Sequence, residues 1–209
     1  MTKETHIKGG YIFALLALPF IYNDYLLEYN FFYRIILLLI YVYFSYFGSL
    51  LPDIDMRGSY ISKRFPTIHK KIGKKLRHRS FTHSLIFICI LSFLGELLLQ
   101  YSDSNIVFLC LVSGLIIGNI SHICLDLLTK EGVELLYPIN INFSLLSIKT
   151  SSKLEKSICK LLNFIIIFLL GYRFYLFVWY LYTKIINWLN KKWVIVFYNP
   201  FLFKLPINF

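Results

Sequence analysis

Acidic residues are scarce in this chain: 11 Asp and Glu face 22 Lys and Arg, for a formal charge of +11. None of the acids falls between Lys63 and Arg79, a stretch holding Lys63, Arg64, Lys70, Lys71, Lys74, Lys75, Arg77 and Arg79. Charge of either sign is sparse, at 16% of 209 residues, while 57% are hydrophobic and 19% aromatic. Mean hydropathy is +0.64. This balance excludes an ordinary soluble domain and points to an integral membrane protein. Cys89, Cys110, Cys124 and Cys159 lie in or beside apolar runs without CxxC spacing. They read as small buried hydrophobes rather than disulfides or metal ligands. No internal repeat or low-complexity tail is present. No small-residue cleavage site follows the apolar residues 11–22, where Asn23-Asp24-Tyr25 stands instead, so this segment is expected to stay with the protein.

What is present is a series of apolar segments. A helical span needs roughly 20 mainly apolar residues. Residues 31–51, 84–101, 106–125 and 161–182 qualify, and residues 11–22 form a shorter one. Gly114 and Gly118 carry GxxxG spacing, a face for close helix packing. Residues 185–203 mix Trp, Tyr, Phe and Lys and read as an interfacial helix or anchor. The expected fold is all-α: a polytopic membrane helical bundle of about 4–5 segments, with a membrane-embedded domain over residues 1–150 and a C-terminal membrane or interfacial segment over 151–209.

Histidines and carboxylates gather at the edges of these segments. His6 precedes the first, Asp53 and Asp55 end the second, His78 and His83 begin the third, and His122 and Asp126 end the fourth. If each segment crosses, parity alone brings all of them to one membrane face. The basic run assigns that face to the cytoplasm and to anionic headgroups; no nucleic-acid fold surrounds it, so a nucleic-acid partner is not expected. Lys184, Lys191, Lys192 and Lys204 fit less well, because a fifth crossing would place them outside.

Imidazole and carboxylate at a membrane are costly, and binding or catalysis is the default reading of them. His122 and Asp126 are four apart and share a helix face. Pro52 disfavours helix at Leu51, which predicts Asp53 and Asp55 on an extended loop. His78 and His83, five apart, predict one histidine on the loop and one in the first turn of the next helix. Seven ligands exceed the needs of one tetrahedral ion. Two ions, zinc or manganese, held by His6, Asp53, Asp55, His78, His83, His122 and Asp126 would use them, with Asp55 or Asp126 left as general base. Arg77 and Arg79 bracket His78 and suit a phosphate oxyanion. His69 lies outside the clusters and reads as solvated.

With these residues the chain resembles the YdjM-like family of bacterial membrane-bound, metal-dependent hydrolases. The matching strings are Thr5-His6, Leu51-Pro52-Asp53-Ile54-Asp55, His78-Arg79-Ser80-Phe81-Thr82-His83-Ser84, Ser121-His122-Ile123-Cys124-Leu125-Asp126-Leu127-Leu128-Thr129 and Gly132-Val133-Glu134-Leu135-Leu136-Tyr137-Pro138. The resemblance covers residues 1 to about 140 and implies an inner-membrane bundle with a metal site built from those His and Asp residues. The His-x-x-x-Asp element is also similar to one in zinc-dependent phospholipases, a fold-level analogy that favours a phosphoester substrate. The expectation is therefore a hydrolase acting on a phospholipid or another amphiphile. A divalent-metal transporter or sensor, and an interaction protein with a structural metal site, are the alternatives.

Overall fold

The computed structural model of the chain describes residues 1–71, 73 and 76–198, with side chains through residue 189. Lys74, Lys75 and Lys204, and the side chains of Lys191 and Lys192, lie outside the described residues. Two compact units form, Met1–Ile167 and Phe168–Phe209, and every candidate site residue belongs to the first. The two units divide between Ile167 and Phe168, inside the last helix. Glu155, in that helix's first turn, accepts from Thr5 Oγ1 at 3.0 Å and from the Thr2 amide, which ties the start of the helix to the first unit.

The chain is an all-α membrane bundle. Its helices are α1 (Lys3–Ile21), α2 (Phe31–Gly48), the short α3 (Tyr60–Arg64) and α4 (Pro66–Lys71), α5 (Leu85–Tyr101), α6 (Ile106–Leu127) and α7 (Lys153–Tyr198). The longer helices begin where the sequence offers caps. The Asn30, Ser84 and Asn105 side chains accept from the amides of Tyr33, Phe87 and Val107 at the starts of α2, α5 and α6. Among the described residues, three helices are long and apolar enough to cross a membrane: α2, α6 and residues 153–189 of α7, with mean hydropathy 1.6, 2.1 and 2.0. The apolar α5 is shorter, at 17 residues. α1 carries Lys3, Glu4, His6 and Lys8 in its first half. Residues 185–198, expected as a separate interfacial piece, continue α7; 199–203 lie outside the described residues.

Packing of α1, α2 and α6 positions the site. Ala14, Leu37, Tyr41 and Cys110 form a buried cluster. Polar side chains stitch the helices within it: Tyr41 Oη donates to the Ala14 carbonyl and Ser45 Oγ to the Gly10 carbonyl, each at 3.0 Å. The expected glycine face exists. A Cβ at Gly114 or Gly118 would run into the Tyr41 or Ser45 carbonyl, and one at Gly48 into the Leu115 carbonyl. α2 and α6 therefore touch backbone to backbone, and the end of α2 is carried close to His122.

Local structure at the aspartates differs from the expected extended loop. α2 stops at Gly48, and Leu51–Asp55 forms a 3₁₀ turn with Pro52 at its start, where the missing N–H costs nothing. His83 likewise closes a separate 3₁₀ turn, Phe81–His83, rather than entering α5; Ser84 intervenes as the cap. His69 is not solvated: it is buried on α4 and its Nδ1 lies 2.7 Å from the Ile54 carbonyl, between the two aspartates. Lys63, Arg64, Lys70 and Lys71 of the basic run are exposed.

Candidate metal centre

Four sequence-distant pieces meet at the end of α6. His122 and Asp126 face inward from α6, His83 comes from the turn before α5, Asp53 from the turn after α2, and His6 from α1. His6 stacks on His122, with ring centroids 3.7 Å apart and planes within 8°. Its Nε2 lies 3.3 Å from Asp126 Oδ1, and the Met1 backbone nitrogen lies 2.7 Å from the same oxygen. His6, His83, His122 and Asp126 are all buried.

Hydrogen bonding fixes the tautomers of the two central rings. His122 Nδ1 lies 2.7 Å from the Ser49 carbonyl, which only accepts, so Nδ1 carries the proton. Thr82 donates its one hydroxyl proton to Asp55 Oδ2 at 2.7 Å, so its oxygen accepts from His83 Nδ1 at 3.0 Å. Both Nε2 atoms are thereby left with lone pairs, and they face each other across 3.1 Å. Two lone pairs at that distance repel unless a cation or a proton stands between them. Asp126 Oδ2 lies 3.6 Å from each Nε2, and Asp53 Oδ1 lies 3.7 and 3.9 Å from those of His122 and His83. Donors on a tetrahedral ion with bonds near 2.1 Å are separated by about 3.4 Å, so His83 Nε2, His122 Nε2 and Asp126 Oδ2 have the spacing of a ligand set, with Asp53 Oδ1 beside the two imidazoles. Three overlapping triads meet metal-ligand spacing: His83–His122–Asp126, His6–Asp53–His122 and Asp53–His78–His83. Asp53 belongs to two of them.

Asp55 behaves differently from its neighbour. Side chains two apart share one side of an extended strand but are about 240° apart on a 3₁₀ turn. Asp53 therefore reaches the Nε2 side of His83, while Asp55 takes the Nδ1 side. Asp55 Oδ1 lies 2.9 Å from His78 Nδ1, and its Oδ2 accepts from the Arg79 amide at 3.1 Å and from Thr82. It orients two imidazoles instead of joining the central four atoms. Burial works to raise its pKa, but hydrogen bonds from His78 and His83 outweigh it and hold the carboxyl well below the usual carboxylate range. Burial lowers the His83 pKa below its ordinary value, against the opposing hydrogen bond to Asp55. Both shifts favour the deprotonated forms that a cation requires.

The arginines are also placed otherwise than expected. Arg77 is 63% exposed and pairs with Glu134, with Asn140 Oδ1 at 3.4 Å. Arg79 is buried. Its Nε lies 3.4 Å from Asp126 Oδ2, and its Nη1 lies 3.0 Å from Glu131 and donates to Thr129 at 2.9 Å. Neither is free to grip an anion; Arg79 holds Asp126 in place. Its backbone φ is +64°, an uncommon value for a residue with a side chain, secured by its amide on Asp55 and its carbonyl accepting from the Glu134 amide. Reasoning from sequence missed Thr82, Glu131, Glu134, His69 and the Ser49 carbonyl. Thr82, Thr129 and Glu134 lie within the strings that carry the family resemblance, which was the signal available for them.

Fold and site together define a helical membrane protein with a buried His/Asp cluster at the end of its central helix. The family described as YdjM inner membrane protein matches residues 1–185, and the chain belongs to it. It is 39% identical over 110 residues (52% of this chain, 64% of the relative) to "Uncharacterized protein YvsG" of Bacillus subtilis (strain 168). It is 36% identical over 112 residues (53% and 56%) to "Inner membrane protein YdjM" of Escherichia coli (strain K12), with the same figures for that of Shigella flexneri. The chain thus spans a little over half to just under two thirds of these curated relatives. No solved structure matches it. Family and apolar helices agree on a bacterial inner-membrane location.

Proposed function

We propose that the chain is a membrane-embedded, metal-dependent hydrolase acting on a phosphoester, with its site on the cytoplasmic side. The observation that carries this reading is the pair of imidazole Nε2 atoms 3.1 Å apart, flanked by Asp53 and Asp126. His83, His122 and Asp126 would hold a divalent ion, zinc or manganese, with Asp53 beside the open position. His6 reaches ligand spacing only together with Asp53 and His122. Such ions, when bound, supply Lewis acidity and lower the pKa of a water toward neutrality.

The chain's own residues do the rest. The Ser49 carbonyl and the Asp55–Thr82 pair keep the Nδ1 protons in place and the Nε2 atoms available. Arg79 anchors Asp126 and offsets part of its charge. Asp53 is the carboxylate of the cluster with an open side, at 18% side-chain exposure, so it replaces Asp55 and Asp126 as the group that accepts a proton from an attacking water. A purely structural site would be closed on all sides and often thiolate-rich; this donor set contains no thiolate and opens at Asp53.

Metal content of the detergent-purified protein is the test, measured by plasma mass spectrometry beside His122→Ala with Asp126→Ala. Stoichiometric zinc or manganese in the wild type, lost in the variant, supports the reading. No stoichiometric metal after supply of both ions removes its foundation.

A further inference from the structure

Two cavities reach the cluster from different sides, and their charge differs. The smaller, about 180 Å³, is lined by Arg77, His78, Arg79, Glu131, Glu134 and Asn142. Its two guanidinium groups are each matched by a glutamate. An anion entering it would have to break an existing ion pair, one of them half of the clamp on Asp126. The larger, about 350 Å³, opens beside Asp53 and includes Lys3, Leu50, Met56, Tyr60 and Ile61 in its lining. Lys3 is its cation, and among the described residues it has no carboxylate partner; its Nζ rests 3.6 Å from the centre of the Tyr60 ring. Ser59 cannot compete for a ligand, because its hydroxyl already donates to the Asp53 carbonyl and accepts from the Ser62 amide.

We infer that the larger cavity binds the phosphate-bearing end of an anionic amphiphile, with Lys3 as the residue that recognises the phosphate. A phosphate entering there meets an unpaired ammonium on one side and the open face of Asp53 on the other. Leu50, Met56, Tyr60 and Ile61 give the first methylenes of the same molecule an apolar wall. The volume suits a headgroup with the start of its chains and leaves the remaining chains to the bilayer. The inference rests on the hydrolase reading and changes the residue expected to hold phosphate from Arg77 and Arg79 to Lys3.

The test measures binding rather than turnover. Metal-loaded wild type, Lys3→Arg and Lys3→Glu are titrated calorimetrically in neutral detergent with dihexanoyl phosphatidic acid, dihexanoylglycerol and inorganic phosphate. Wild type is expected to bind the phosphatidic acid and not the uncharged glyceride. Lys3→Glu should weaken binding about tenfold or more, the scale of a charge-assisted hydrogen bond, while Lys3→Arg retains it. Lys3→Met replaces Lys3→Glu if the latter elutes as aggregate. Equal binding of the glyceride, undiminished binding by Lys3→Glu, or no binding by wild type overturns the assignment. Inorganic phosphate binding as tightly as the phosphatidic acid overturns the lipid part and points to a free phosphate. Intact, Lys3-dependent binding without phosphoester hydrolysis sinks the enzyme reading alone.

Discussion

α6 and the membrane-length part of α7 are nearly matched in hydropathy, 2.1 against 2.0, yet they are built for different neighbours. In α6, 44% of the apolar window is buried inside the protein; in α7 none is. Six of the ten buried positions of α6, Gly114, Gly118, Asn119, Ser121, His122 and Asp126, are small or polar. The exposed surface of α7 is Phe, Tyr, Trp, Leu and Ile. Hydropathy measures the cost of leaving water, and both helices satisfy it. What distinguishes them is whether the helix must also meet backbone and polar partners.

That contrast yields predictions of graded size. The largest effect is expected from His122→Ala or Asp126→Ala, which should reduce bound metal and phosphoester turnover to background while the protein still inserts. Metal analysis and membrane fractionation check this, and full metal retention in either variant would remove that residue from the centre. Next is Gly118→Leu, whose side chain would collide with the Ser45 carbonyl; a loss of about 2 kcal/mol or more is expected. Gly171→Leu in α7 meets nothing within 4 Å and should be neutral to about 0.5 kcal/mol. Thermal unfolding in detergent compares the pair, and equal losses would erase the distinction between the helices.

Thr82→Val should act more gently, weakening metal affinity about tenfold by freeing His83 Nδ1 without touching a ligand. Competition with a chelator measures it. The smallest effect is a pH dependence of the metal-free protein. His83 has a folded pKa below its ordinary 6.5, so the unfolded chain takes up the proton first as pH falls through that value, and stability declines. Asp55, also depressed, contributes stability present above the ordinary carboxylate range and lost as pH falls below it. Unfolding temperatures should fall as pH drops from 7 toward 5, the His83 window, and again below about 4, the Asp55 window; no fall in the first removes the His83 assignment and none in the second removes that of Asp55.

Much of the bundle could be read from sequence because its signals are local. The i,i+4 spacing of His122 and Asp126 and the GxxxG pair each depend on one helix. Parity was enough to bring His6, Asp53, His83 and His122 to one end. The roles within the cluster were less accessible, because they depend on turn geometry and long-range partners. Asp53 and Asp55 look equivalent until the 3₁₀ turn rotates them apart. Arg77 and Arg79 look free until Glu131 and Glu134, about 50 residues later, arrive opposite them. The Ser49 carbonyl has no sequence signal at all, since every residue has a carbonyl.

That carbonyl makes the packing of two helices an input to ring chemistry. Ser49 caps α2 and His122 belongs to α6, so the proton on His122 Nδ1 is held by the spacing of two membrane helices. Gly48 and Gly118 leave no compliant side chain at the crossing to absorb a displacement. A bilayer of different thickness that slides α2 along α6 by a fraction of an ångström would stretch this hydrogen bond directly. The tautomer of one imidazole is thus a property of how two helices cross.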